Sequence, residues 1–133
     1  MAKEYFIEYN RVAFDGKLSS IQLVWSNKLQ TTAGLTRLVT ISIGKNEQRK
    51  EAKIELNTKV LDEEEKLQST LLHEMCHAAA WLLDGVAKPP HGKCFKKWTT
   101  LAMKKVSNNE QTCIYGKAYP VKLLDCLGLT NPL

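Results

Sequence analysis

No stretch of this sequence is apolar for long enough to cross a bilayer. The opening MAKEYFIEYN lacks the apolar segment of a secretory signal. An intracellular protein with no membrane role is therefore expected. Internal repeats, low-complexity tracts and linker-like stretches are also absent, and 133 residues suit one domain with a single core. The four cysteines, Cys76, Cys94, Cys113 and Cys126, form no C-x-x-C pair. In a reducing compartment they need not be disulfides, and Cys76 reads as a small buried residue. Acidic residues are missing from Lys88 to Asn109, a span that holds six lysines within a chain of net charge +5. Such a face can attract a polyanion, or it can be a solvated helix surface. There are only three histidines, and all lie between Leu71 and Gly92.

The first half of the chain reads as one helix and three short strands. In KEYFIEYNRVAF, Tyr5, Phe6, Tyr9, Val12 and Ala13 recur at helical spacing, with a natural stop at Asp15-Gly16. IQLVW, residues 21 to 25, is rich in strand formers. RLVTISIG, residues 37 to 44, alternates Leu38, Thr40 and Ser42 with Val39, Ile41 and Ile43, as a half-buried strand does. AKIEL, residues 52 to 56, is the third candidate, and NEQRKE between them reads as a polar hairpin tip or loop.

The second half is helical. Asp62 and Glu65 form a capping-box-like start, and Leu67, Leu71, Met75, Ala78 and Leu82 follow at threes and fours. This helix is expected from about Glu63 to Leu83, with Gly85 as its stop. Pro89 and Pro90 bar helix beyond it. A last helix from about Lys93 to Val106 should bury Phe95, Trp98, Leu101 and Ala102, and the tail from Asn108 reads as irregular. Helix, small sheet, long helix and helix together make an α+β domain.

The long helix carries H-E-x-x-H. Positions i and i+4 share a helix face, so His73 and His77 can both aim a nitrogen at one ion. Glu74, between them, can reach a water on that ion. A catalytic zinc takes three protein ligands and keeps one position open. Asp84, His91 and Cys94 are the candidates for the third. A continued helix would carry Asp84 roughly 10 Å along the axis from His77, too far for a shared ion. Cys94 falls about one turn into the last helix. His91 lies beyond a turn that can bring it back, and it is the expected ligand. The ion would acidify its water and polarise a carbonyl, with Glu74 moving the proton. Tyr115 and Tyr119 are conceivable oxyanion donors, though the sequence places neither.

These residues resemble the SprT-like metalloprotease family, which includes Spartan and the protease domain of germ-cell nuclear acidic protein. The resemblance runs from about residue 5 to 106. It rests on Tyr9-Asn10, Phe14, Gly16 and Leu18, then WSNKLQTTAG, then Ile54 and Leu56, and most specifically on HEMCHAAAWLLDG and HGKCFKKW. It implies a zincin-like metalloprotease core over residues 1–107, with residues 108–133 a tail that is a remnant or truncated zinc ribbon. Cys113 and Cys126 would belong to that ribbon, but its remaining ligands are absent from the sequence. The resemblance further implies one catalytic Zn2+ on His73, His77 and His91, with Glu74 as the catalytic glutamate. The implied activity is DNA-activated cleavage of proteins crosslinked to DNA, as part of DNA-damage repair in the nucleus. DNA of single-stranded character would be the activating partner, and Lys93, Lys96, Lys97, Lys104 and Lys105 the candidate contacts. Trp25 is expected to pack. Two other readings stay open: a zinc protease with ordinary soluble substrates, and a non-catalytic zinc-containing module that binds DNA. Glu74 argues against the last, because a purely structural site has no use for a base there.

Overall fold

A computed structural model describes residues 2–18, 21–29, 32–59 and 64–108. Its elements are α1 (Ala2–Ala13), β1 (Ile21–Ser26), β2 (Gly34–Ser42), β3 (Gln48–Asn57), α2 (Glu64–Asp84) and α3 (Lys93–Asn108). The α+β architecture with one small three-stranded sheet is as expected. Asp62 and Glu63, the expected start of the long helix, lie outside the described residues, as does everything after Asn108, including Cys113, Tyr115, Tyr119 and Cys126.

β3 is the middle strand, parallel to β1 and antiparallel to β2. Its Ala52, Ile54 and Leu56 are buried beneath α2, which packs on the sheet. The other side of α2 meets α1 and α3. Leu71, Leu72, Met75, Cys76 and Ala79 of α2 join Tyr5, Tyr9 and Phe14 in the core, all at or near zero exposure. Cys76 is thus the small buried residue the sequence suggested. Burying this much apolar surface from three helices and a sheet is the main stabilising term for a domain of this size.

Helix ends follow their local chemistry. Past α1, Asp15 and Gly16 take positive φ of 53° and 73°. The Phe14 and Gly16 amides both donate to the Asn10 carbonyl, while the Asn10 side chain accepts from the Leu18 amide at 2.9 Å. Past α2, Gly85 turns the chain at φ 70°, a conformation that costs a glycine little.

Four expectations need correction. β2 begins at Gly34, and Gln48–Glu51 belong to β3, so the loop is confined to the tip around Gly44. The apolar set of β2 faces away from α2. Gly34, Thr36 and Leu38 pair with the buried Leu56, Ile54 and Ala52 and share their helix-facing side. The odd-numbered residues point outward, leaving Val39 and Ile43 42% and 43% exposed. Leu101 is exposed rather than buried, because α3 turns Phe95, Ala102, Met103 and Val106 inward. Trp25, at the end of edge strand β1, is 47% exposed instead of packed.

Candidate metal centre

α2 is long enough to carry core residues on one side and two imidazoles on another. His73 and His77, one turn apart, bring their Nε2 atoms to 3.2 Å. The chain then turns at Gly85 and returns before α3. A Cβ on Gly92 would sit 2.7 Å from Cγ of Pro89, so only glycine lets the backbone fold this tightly. The turn delivers His91, whose Nε2 lies 3.2 Å from that of His77 and 3.3 Å from that of His73. Three nitrogens on one tetrahedral ion, each about 2.0–2.1 Å from it, would be about 3.3–3.4 Å apart. The triangle therefore fits such an ion, and the three residues are placed to hold a metal. Burial, helped by the neighbouring His73 and His91, pushes the His77 pKa down to about 4. A neutral imidazole is the form that binds metal.

The Phe95 ring lies against all three imidazoles. It stacks on His77 with centroids 4.2 Å apart and meets His73 and His91 edgewise at 5.0 and 4.9 Å. Phe95 was expected as a core residue of α3, and it is 4% exposed. Its second role, as an apolar floor for the ligands, is visible only in three dimensions.

Glu74 points to the sheet side of α2 and is 7% exposed. Burial raises its pKa to about 7, opposed by a hydrogen bond from Thr36. The Thr36 hydroxyl lies 2.7 Å from Glu74 Oε1 and 3.1 Å from the Glu74 carbonyl. Gly34, two residues earlier on the same face of β2, allows the strand this close. A Cβ there would meet Thr70 Cγ2 at 2.7 Å and Glu74 Cγ at 3.1 Å. Thr36 was not singled out from the sequence; its signal was the strand period of two counted from Gly34.

Glu74 and the three histidines, with Ser69 and Thr70 one turn earlier on α2, line a cleft of about 430 Å³ whose other rim is Thr32–Leu35. Asn57, fully buried, fixes that rim. Its side-chain amide donates to the Leu29 and Thr32 carbonyls, its backbone amide donates to Ala33, and its Oδ1 accepts from Lys59. Sequence reasoning missed Asn57 as well.

Residues 2–115 match the model of the SprT-like family. The chain belongs to the SprT-like family. It is 37% identical over 119 residues to an HMG box-containing protein of Schizosaccharomyces pombe, covering 82% of this chain and 31% of that protein. It is 40% identical over 89 residues to human germ cell nuclear acidic protein, covering 66% of this chain and 12% of the relative. With the Drosophila melanogaster germ cell nuclear acidic protein it shares 35% over 102 residues, covering 77% and 9%. The chain thus spans less than a third of each of these relatives.

In this SprT-like chain the two rejected ligand candidates are engaged elsewhere. Asp84 Oδ2 accepts from Lys97 Nζ and Trp98 Nε1, both at 2.7 Å, and from Cys94 Sγ at 3.3 Å. Lys97, and after it Trp98, hold the Asp84 carboxyl below the ordinary carboxylate range. The lysines divide in two. Lys93, Lys96 and Lys104 are exposed along α3. Lys97 is paired with Asp84, and Lys105 with Asp15 at 3.3 Å.

Proposed function

We propose that this chain is the protease core of a DNA-associated nuclear protein, built on a zincin-like fold within residues 1–107, that hydrolyses proteins crosslinked to DNA. The observation that carries this reading is the convergence of three histidine Nε2 atoms beside a buried glutamate in an open cleft. Family membership supports it. The nuclear and HMG box-containing relatives support the DNA setting.

His73, His77 and His91 would hold one Zn2+. The ion supplies Lewis acidity, polarising a scissile carbonyl and making water a competent nucleophile at neutral pH. The chain's own residues do the rest. Thr36 fixes Glu74 Oε1, so Oε2 takes the proton of the attacking water and passes it to the leaving amine. Burial makes Glu74 more basic than an exposed carboxylate, which suits a general base, and a bound Zn2+ would draw that basicity back down. The Thr32–Leu35 rim presents no bulky aromatic or charged side chain. An extended, poorly ordered segment of many sequences would fit it. Lys93, Lys96 and Lys104 would meet phosphates without reading sequence.

Proteolysis of a DNA-binding protein, with and without single-stranded DNA, tests this reading, with Glu74→Gln as control. Cleavage that needs both DNA and Glu74 is the expected result. The engagement of Lys97 and Lys105 favours a second reading, a zinc protease with ordinary soluble substrates. Cleavage that ignores DNA would select it. A protein that holds zinc and DNA but never cuts would instead be a non-catalytic module.

A further inference from the structure

The loop that carries His91 runs between the last residue of α2 and the first of α3. Among the described residues its backbone hydrogen bonds are local to its two ends: Gly85 to Trp81 and Val86 to Ala80 at the start, and Gly92 to Pro89 and Lys96 to Gly92 at the finish. The position of His91 therefore depends on how the end of α2 is held against the start of α3.

The geometry points to Asp84 as a positioning residue for the metal centre, acting through α3 on His91 and Phe95. The inference rests on the three histidines being metal ligands and is independent of proteolysis. Asp84 closes α2, and its Oδ2 gathers three donors, Cys94, Lys97 and Trp98, from the first two turns of α3. Trp98 is held from its other side by Phe14, with ring centroids 5.9 Å apart. Between these donors, Phe95 lies beneath the three imidazoles. Two ligands ride on α2, while the third lies two residues before α3 and the apolar floor lies in the first turn of α3. A slip between the two helices would open the nitrogen triangle, and the Asp84 contacts oppose that slip.

The test is Zn2+ affinity, measured by competition with a chromophoric chelator, together with the visible spectrum of the Co2+-loaded protein. Asp84→Ala should weaken Zn2+ binding about tenfold, the low end for residues supporting ligands from outside the first coordination layer. The Co2+ bands characteristic of a four-coordinate site should weaken with it. Asp84→Asn, which keeps an acceptor for Trp98, should lose less. Trp98→Phe, which removes that donor but keeps a ring against Phe14, should lose a comparable amount. In a His91→Ala background, Asp84→Ala should cost clearly less, because of the two residues it positions only Phe95 remains, beneath His73 and His77. Wild-type affinity in Asp84→Ala, or an equal loss in the His91→Ala background, would overturn the inference while leaving the metal centre intact. A wild-type chain that takes up no zinc would overturn both.

Discussion

Thr36 on β2 places its hydroxyl 2.7 Å from Oε1 of Glu74 on α2, across 38 residues of sequence. The bond favours the ionised carboxylate, working against burial. Removing it with Thr36→Val should shift the acid limb of the pH–rate profile to higher pH and lower activity at neutral pH. Glu74→Gln should remove cleavage by at least about a hundredfold, the smaller end of general-base effects, and leave Zn2+ uptake unchanged. A Thr36→Val profile that coincides with wild type would show that the hydroxyl does not tune the base.

Without metal, Glu74 and His77 give opposite pH dependences. The folded Glu74 pKa, about 7, lies above its ordinary 4.5, so the stability it contributes is present at low pH and is lost as pH rises from 4.5 to 7. The folded His77 pKa, about 4, lies below its ordinary 6.5, so its contribution is present above 6.5 and is lost as pH falls towards 4. The two effects overlap and partly cancel. In chelator, Glu74→Gln should therefore be more stable than wild type at pH 8, by on the order of 3 kcal/mol, with the gap closing near pH 4. Zn2+ should shrink the gap at pH 8, since a neighbouring cation stabilises the carboxylate. Denaturant unfolding at the two pH values, with and without Zn2+, measures all of this.

Gly34→Ala should both destabilise the fold and disturb the site. Its Cβ would fall 2.7 Å from Thr70 Cγ2, and overpacking of this kind costs about 1–3 kcal/mol. Thr70→Ser removes the opposing methyl, so the double variant should recover much of the lost melting temperature. No recovery would mean that the conflict lies with Glu74 Cγ instead.

The lysines should contribute unequally to DNA binding. Replacing Lys93, Lys96 and Lys104 together by alanine should reduce the slope of log affinity against log salt by about 2, at roughly 0.7 per single-strand phosphate contact. Lys105→Ala should change it less, because that ammonium already meets Asp15. An unchanged slope in the triple variant would place the DNA interface elsewhere.

The site was legible where chemistry follows local spacing. His73, His77 and Glu74 sit on one amphipathic helix, and His91 was the expected third ligand because helix geometry excluded Asp84 and Cys94 fell about one turn into the last helix. What was illegible depends on distant partners. Thr36 is an ordinary strand residue until Glu74 approaches it, and Lys105 looks free until Asp15 arrives from 90 residues away. β2 misled for a physical reason. Gly34, in close approach to α2, and Thr36, hydrogen-bonded to Glu74, occupy its helix-facing side, so Val39 and Ile41 are turned outward against the hydrophobic pattern.

Phe95 has a consequence for how this chain can vary. Its ring belongs to the hydrophobic core and also forms the floor of the three imidazoles. A core elsewhere can exchange side chains of similar volume and keep its function. Here an aliphatic replacement of the right volume would satisfy folding and still leave the ligands without a flat support. Position 95 is thus constrained twice, once by folding and once by the packing of the three imidazoles, and drift in the helix that carries it is limited by the stricter of the two.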